Sequence, residues 1–538
     1  MSIYEPDKVL ELMNVKPKEK EKKENGEVFT PLYLVNEMLD QLDHAYTEEH
    51  GKSIFSEPHL KWFDPAAGIG NFPFVVYQRL MNGLNIPDRR KHILEQMIYA
   101  AELNPKNVLM YKTIFDGDKY KLHIYEGDTL KMDLQRFDVV MGNPPFNKSK
   151  NGTLKGGYGG RSLWDLFVVK SLNEWVDDNS YLLFIHPPSW RKPEHYLWEV
   201  LSKKQLLYLK TYSIKEGHKI FSCSTLVDYY VLKNTNIYKE TIIDGQDGKT
   251  YSINLNEWNF LPSGAFDTIR QILGKNEVLY SRTKYGTDKK NISKTKTEKN
   301  EVLYSSSIYD TRRPYVNNTK TKTEKNNLPV VHNMTKKDGL GFVYSSEDKG
   351  HFGVSKVILS FGQFQYPYND FKGEYGMSQI CYGLKINSKE EGDKIVEAIN
   401  SAKFKEILKY TKWSTFQTDW RMFKEFKPDF WKEFLDKSPQ ASKPIQLSYT
   451  LPLKESPLSK KVIDPAPKKV TKRRKLKVVE PSSESKVVVE NPNDSVIERL
   501  FNPSTGRYIK NTPANRKKIQ RQTLKRGGKR KKGTRKRQ

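Results

Sequence analysis

The sequence predicts an α/β protein built on a doubly wound, mostly parallel sheet, and three observations carry that prediction. Short apolar runs that read as strands alternate with helical stretches from residue 60 to residue 232. Each of the first four runs ends in a polar loop of its own composition. The loop after the first run is built of small residues and opens directly into a helix, as ligand-binding strand–loop–helix turns do.

Residues 1–25 are charged and read as a flexible N-terminus. Gly26-Glu27-Val28-Phe29-Thr30-Pro31 then leads into a helix, because Leu34, Val35, Met38, Leu39 and Leu42 fall on one helical face. Thr30 suits the N-cap and Pro31 the first helical position. Residues 60–64 form the first strand, followed by Pro65-Ala66-Ala67-Gly68-Ile69-Gly70-Asn71-Phe72. The small side chains there let a ligand approach the backbone, and a helix over 73–84 turns its free N–H groups towards the loop. This is not the full G-x-G-x-x-G pattern, because Pro73 interrupts it, and no Gly-Lys-Ser/Thr follows to make a phosphate-cradling loop.

Residues 97–101 are the second strand, ending at Glu102. A carboxylate in that position accepts both hydroxyls of a ribose. It lies 38 residues beyond Asp64, against about 20 in the usual arrangement. A short helix over 88–96 absorbs the excess. Residues 121–125 make the third strand, ending at Glu126-Gly127-Asp128, where Asp128 is positioned to accept from an adenine amino group.

The fourth strand carries the most unusual tetrapeptide. Phe137-Asp138-Val139-Val140-Met141 is an apolar run, Gly142 ends it, and Asn143-Pro144-Pro145-Phe146 forms a stiff loop at its carboxyl end. Two prolines fix φ and remove two N–H donors, so the loop shows carbonyl acceptors. Asn143 adds a side-chain carbonyl, and Phe146 adds an aromatic face. Together they suit a flat, nitrogen-rich ring bearing an exocyclic NH₂. A plain proline turn is the bland reading of the same four residues. Residues 148–161, glycine-rich and basic, read as a mobile loop. A helix over 163–175, a fifth strand over 181–185 ending in His186-Pro187-Pro188-Ser189-Trp190, and strands over 206–212 and 225–232 complete the series.

Composition bounds the partners. The chain has 92 Lys+Arg against 64 Asp+Glu, a formal +28, which points to a polyanion. Fifteen of the basic residues fall in 507–538, which hold no acid, leaving +13 on the rest. The only cysteines are Cys223 and Cys381, which argues against a disulfide framework or a cysteine-based metal site and for a reducing, intracellular compartment. The N-terminus lacks the apolar region of a secretory signal, and no run is long and apolar enough to cross a membrane.

In this order — GEVFTP, DPAAGIGNF, the Glu102 acid, Gly127-Asp128, then NPPF — the chain resembles the gamma-class, S-adenosylmethionine-dependent adenine-N6 DNA methyltransferases of bacterial restriction–modification systems. The resemblance covers residues 24–240 well and 350–432 more weakly. It implies a Rossmann-like methyltransferase core with a mixed sheet over 26–240. It implies S-adenosylmethionine as cofactor, held by Thr30, Pro31, Asp64, Ala66, Gly68, Gly70, Glu102 and Asp128, with Phe167 flanking its adenine. It implies Asn143, Pro144, Pro145 and Phe146 as the catalytic loop, with the target base stacked between Phe146 and Phe184. The partner would be double-stranded DNA, with no metal and no membrane; the oligomeric state is not legible, and a monomer is favoured. The spacing from Asp64 to Glu102 is longer than the family's. Residues 1–25 are too few for the nuclease domain that some relatives carry in front.

Residues 241–436 are assigned to an α+β target-recognition region. Within 275–326 the sequence is duplicated: KNEVLYS occurs at 275–281 and 299–305, and KTKTEKN at 294–300 and 320–326. Residues 352–384 alternate like strands, 391–408 are helical, and 413–434 are aromatic and basic. Residues 437–495 read as a Pro/Ser/Lys-rich linker, and 496–538 as a basic module with a disordered tail. The stretch RLFNPSTGRYIKNTPANR resembles a module at the ends of proteins of large eukaryotic DNA viruses, which implies a viral origin. Rival readings are an RNA-adenine or protein-glutamine methyltransferase, whose amide or amino group poses the same chemical problem, and a DNA-binding virion protein with a dead core. The target site and the residues that read bases are not visible in the sequence.

Overall fold

The apolar stripe of residues 34–42 folds as helix α1 (Leu32–His50), and Leu34, Val35, Met38, Leu39 and Leu42 are all buried. Its start departs from expectation. Pro31 occupies the N-cap without a side-chain bond, and Thr30 lies outside the helix. Thr30 is instead drawn inward, its carbonyl accepting from the Asn71 side chain at 2.8 Å. A proline can sit there because the first N–H groups of a helix have no intrahelical acceptor anyway.

The computed structural model describes residues 29–147, 162–222, 224–237, 239–274, 302–304, 308–335, 339–361, 366–414, 418–435, 499–502 and 507–510. After α1 come β1 (Trp62–Asp64), α2 (Asn71–Gly83) and α3 (Arg89–His92), which a π turn at Ile93–Met97 extends to β2 (Ile98–Glu102). The short helix expected in the long spacer is therefore present. Next are α4 (Pro105–Ile114), β3 (His123–Glu126), β4 (Phe137–Gly142), α5 (Trp164–Lys170), β5 (Val176–His186), α6 (Tyr196–Leu201), β6 (Gln205–Tyr212), α7 (Ile214–Phe221), β7 (Val227–Lys233), β8 (Thr241–Asp244) and β9 (Thr250–Ile253).

These strands form one sheet in the order β3-β2-β1-β4-β5-β7-β6-β8-β9. β1 to β5 pair in parallel, while β7 runs against both β5 and β6. This is a mixed, doubly wound α/β sheet of nine strands. The chain builds outward from β1 to β3, then restarts at β4 on the other side of β1. That reversal opens a crevice beyond the carboxyl ends of β1 and β4. The central strands are buried on both faces, as parallel strands must be. Trp62, Val139, Met141 and Leu183 pack on the face with α1 and α2, while Phe63, Val140, Leu182 and Phe184 pack on the face with Trp164 and Phe167 of α5.

The second face continues into the rest of the first compact unit, Met1–Tyr449. There α8 (Phe266–Ile272) precedes two small sheets. One is β10 (Val302–Tyr304) with β14 (Lys356–Ser360), β15 (Tyr368–Asp370) and β17 (Cys381–Lys385). The other is β11 (Val316–Asn317) with β12 (Leu328–Thr335), β13 (Gly339–Ser345) and β16 (Gly376–Met377). Helices α9 (Lys389–Asn400), α10 (Ala402–Tyr410) and α11 (Met422–Glu425) follow. The aromatic stretch of 413–434 turns inward: Trp413, Trp420, Phe423, Phe426, Phe430, Trp431 and Phe434 are all buried. In the second unit, Thr450–Gln538, the described residues form an antiparallel hairpin, β18 (Arg499–Asn502) and β19 (Arg507–Lys510). The expected flexible N-terminus, the glycine-rich loop 148–161, the first copy of the duplication, the linker and the tail lie outside the described residues.

Candidate active site

Four strand-end loops and the start of α5 enclose a cleft of about 700 Å³ at the carboxyl edge of the sheet, within the range of small-ligand sites. β1 contributes Pro65, Ala66 and Gly68. β2 contributes Glu102, Leu103 and Asn104, with Asn107 from α4. β3 contributes Gly127, Asp128 and Thr129. β4 contributes Asn143, Pro144, Pro145, Phe146 and Asn147, and α5 and its entry add Leu163, Leu166 and Phe167. Phe29, ahead of α1, closes one wall.

The loops are tied to one another by hydrogen bonds. The Glu102 carboxylate accepts the Gly68 N–H at 2.8 Å and, on its other oxygen, the Asn104 N–H at 2.8 Å and Asn107 Nδ2 at 3.4 Å. Thr129 Oγ1 donates to the Pro65 carbonyl at 2.8 Å, and Gly127 N–H to the Glu102 carbonyl at 2.9 Å. Glu102 therefore ties the glycine loop to the end of its own strand and to the start of α4. Asp128 caps the short turn Thr129–Lys131 and pairs with Lys131 at 3.0 Å.

Two glycines are required where backbone and side chain meet. Gly68 has φ +57°, and a Cβ on it would stand 2.9 Å from the Phe29 ring. Gly142 has φ +151°, and a Cβ there would stand 2.7 Å from Asp64 Oδ1. Asp64 thus lies at the root of both loops, buried, with Oδ1 accepting the Ala66 N–H at 3.0 Å. Burial pushes its carboxyl up to about 8; the Ala66 N–H pulls it back and the Glu102 charge adds to the rise.

The acceptor loop is half-open. Asn143, Pro145 and Phe146 are partly exposed and Pro144 is buried. The Phe146 ring packs against both core clusters, and its carbonyl accepts the Leu163 N–H at 3.1 Å, which pins the entry of α5 to the loop.

Of the residues singled out in the sequence, Ala66, Gly68, Glu102, Asp128, Phe167 and all four of Asn143–Phe146 come together in the cleft. Thr30, Pro31, Asp64, Gly70 and Phe184 are not among its lining residues. Gly70 is the N-cap of α2 at φ +99°, where a Cβ would press on Tyr111 and Phe115 at 2.8 and 2.9 Å. Phe184 is 0% exposed. It sits on β5 between β4 and β7, where the side chain belongs to the core, so the expected stacking wall opposite Phe146 is not on the cleft surface. Phe29, Leu103, Asn107 and Leu166 were missed. Phe29 adjoins Thr30 in GEVFTP, and Asn107 lies one turn into the helix after the acid, so both had a local signal. Leu103 and Leu166 are exposed apolar residues at the mouth, and a sequence does not display exposure.

The loop at the end of β5 repeats the proline pair. His186 is fully buried, Nδ1 3.0 Å from the Pro187 carbonyl and Nε2 3.1 Å from the Tyr230 hydroxyl. A carbonyl only accepts, so Nδ1 carries the proton and Nε2 accepts from Tyr230. Burial holds this imidazole down at about 3, and Trp164 stacks on it at 4.3 Å. Arg191 follows, sealed in a bidentate pair with Asp228 at 2.6 and 3.0 Å and donating to the Leu261 and Pro262 carbonyls at 2.8 Å. Among the described residues no group of three or more His, Cys, Asp or Glu is arranged to hold a metal, and no helix is long and apolar enough to cross a membrane.

Residues 8–159 match the family model of the N-6 DNA methylases. The chain is 25% identical to an uncharacterized adenine-specific methylase of Mycoplasma pneumoniae, over 31% of this chain and 56% of that protein. It thus spans about half the length of the curated relative it matches. Among solved structures it is similar to a modification subunit of a putative type I restriction enzyme from Vibrio vulnificus, at 15% identity over 42% of this chain and 48% of that one, TM-score 0.32. It is also similar to the type IIL restriction–modification enzyme MmeI in complex with DNA, at 12% identity over 78% of this chain and 70% of that one, TM-score 0.44.

Proposed function

We propose that this chain is an S-adenosylmethionine-dependent methyltransferase of the gamma arrangement, acting on the N6 amino group of adenine in duplex DNA. The observation that carries the reading is that Asn143-Pro144-Pro145-Phe146 opens into the same cleft as the glycine loop, Glu102 and Asp128. Asn143 lies 41 residues beyond Glu102 and 15 beyond Asp128, and the strand order brings all three to one cleft, the arrangement a two-ligand site requires.

The residues fit the cofactor. Glu102 and Asp128 offer carboxylate acceptors for ribose hydroxyls and a ring amino group, and Leu103 and Phe167 offer apolar surface to a ring. When bound, the sulfonium supplies an electrophilic methyl group.

The remaining work belongs to the chain. An adenine amino lone pair is delocalised into the ring and is a poor nucleophile. Acceptors at the Asn143 side chain and the Pro144 carbonyl would hold its two protons and localise the lone pair on nitrogen. Positioning and preorganised acceptors supply such catalysis without a covalent intermediate. The base must first leave the duplex, and stacking on Phe146 would offset part of that cost of a few kcal/mol. On this reading residues 241–436 serve target recognition.

The test is transfer of labelled methyl from S-adenosylmethionine to unmethylated duplex DNA, with RNA and protein extract in parallel. Label on DNA that Asn143→Ala abolishes supports the reading. Label on RNA or protein instead keeps the chemistry and overturns the substrate.

A further inference from the structure

The connection from β11 to β12 is an exposed basic loop whose residues are not among those lining the cleft. β11 and β12 do not pair with each other. Both pair with β13, with Val316 and Leu328 each opposite Ser345, so residues 318–327 must arch over the end of β13. Thr, Asn and Lys give such an arch no apolar anchor. It is held instead by side-chain hydrogen bonds at its two feet. Asn317 Oδ1 accepts the Thr319 N–H at 3.0 Å and the Thr319 hydroxyl at 2.7 Å, while Asn317 Nδ2 donates to the Thr321 carbonyl at 3.2 Å. On the other side Asn326 N–H donates to Thr323 Oγ1 at 2.9 Å, Asn326 Nδ2 to the Tyr315 carbonyl at 3.0 Å, and Thr323 N–H to the Asn326 carbonyl at 3.1 Å. Lys320 takes a left-handed backbone at φ +63°, which few non-glycine residues adopt without a surrounding frame that holds them there.

The frame uses the asparagines and threonines and leaves the lysines outside. Residues 318–325 are all exposed. Lys320, Lys322 and Lys325 make no ion pair or hydrogen bond among the described residues. Elsewhere in the same half of the chain several basic side chains are paired locally, Arg312 with Asp310, Lys349 with Glu347, Lys356 with Asp370, and Arg421 and Lys424 with Glu194. The loop carries one acid, Glu324, against three lysines. A merely solvated surface loop does not need six side-chain and backbone bonds to set its shape, and fixing the shape beforehand lowers the ordering cost of binding.

We propose that the arch of residues 318–326 is a phosphate-contacting element that seats duplex DNA, with Lys320, Lys322 and Lys325 as its cations. This rests on the DNA reading given above and adds the surface that holds the duplex outside the cleft. The contact is to phosphate, so it fixes register and carries no sequence information by itself.

The experiment is binding of fluorescent duplex DNA by the full chain, read by anisotropy from about 50 to 300 mM salt. Each phosphate contact contributes about 0.9 to the slope of log K against log salt. The triple variant K320A/K322A/K325A should lower the slope by up to about 2.7, weaken binding at least tenfold at the lowest salt, and leave cofactor binding and the melting temperature unchanged. The variant K320R/K322R/K325R should keep the wild-type slope. Asn317→Ala, which loosens the arch but keeps its charge, should weaken binding with the slope intact. An unchanged slope in the alanine variant, with wild type still binding DNA, overturns the proposal. Wild type that binds no duplex but methylates RNA or protein overturns the DNA reading itself and the loop's role with it.

Discussion

Two neighbouring strands of this sheet end in the same way and come to opposite ends. β4 runs into Asn143-Pro144-Pro145-Phe146 and β5 into His186-Pro187-Pro188, and the strands pair in parallel, Gly142 opposite Phe184. Each proline pair removes two donors and leaves carbonyls. At β4 those groups border a cleft, and the polar and aromatic residues stay partly exposed. At β5 the polar residue is consumed: His186 donates to the Pro187 carbonyl, accepts from Tyr230, and lies under Trp164. Arg191 then bolts the loop to Asp228 and to the carbonyls of residues 261 and 262. The motif exports acceptors; whether they serve a ligand or the fold depends on what packs against them.

Substitutions can break this contrast. The largest effect is expected at the open loop: Asn143→Ala should lower methyl transfer by about 10²–10³-fold or more, the scale of losing a preorganised polar group at a reacting centre. Cofactor affinity should change less than threefold by calorimetry. A collapse of cofactor binding would count against the catalytic assignment of this loop.

At the sealed loop the currency is stability. Arg191→Ala leaves the Asp228 carboxylate buried without its partner, and such a loss costs about 3–5 kcal/mol. Denaturant unfolding should show this, whereas an unaffected midpoint would mean that the pair is not what holds residues 261 and 262 to the sheet.

The two phenylalanines sharpen the comparison. Phe146→Ala should cost about 1–3 kcal/mol of target-base binding, seen as a raised KM for DNA beyond whatever stability is lost with its packing on the core. Phe184→Leu should do the reverse, costing about 1–2 kcal/mol of stability and leaving transfer intact. If Phe184→Leu impairs transfer in a fully folded protein, a movement that brings β5 to the base must be invoked.

The smallest effect concerns pH. His186 is held at about 3 when folded and returns to its ordinary value of about 6.5 when unfolded. Below 6.5 the unfolded chain takes up a proton that the fold refuses. Stability is therefore full above about 6.5 and declines as pH falls towards 3. His186→Gln should flatten part of that acid slope in unfolding measurements between pH 6.5 and 4. An identical slope in the variant would place the acid sensitivity elsewhere.

Much of the first half was legible. β4 starts at Phe137 and ends at Gly142, where the apolar run begins and the glycine interrupts it. The α1 stripe, the acid at the tip of β2 and the helix in the long spacer all follow from periodicity and from residues with one conformational use. Cap details were less legible. Thr30 is a good N-cap by type, yet Pro31 holds that place, because Asn71, 41 residues away, takes the Thr30 carbonyl. In the second half the run of 413–434 is aromatic and basic in sequence, and its described aromatic side chains are core. Aromatic spacing does not say which side faces water when the partner elements, α8 and β17, lie far away in sequence.

By itself the sequence determined the strand–loop series, the composition of each loop and the acceptor chemistry of the two proline pairs, since all of these are set by neighbours within a few residues. Only the tertiary structure decided that Glu102 clamps Gly68, that Asp64 underlies Gly142, that Phe184 is sealed while Phe146 is open, and that Lys320, Lys322 and Lys325 stand outside their loop's own hydrogen bonds. Those outcomes depend on contacts between segments tens of residues apart. Burial and pairing there are settled by the strand order of the sheet, which no local pattern encodes.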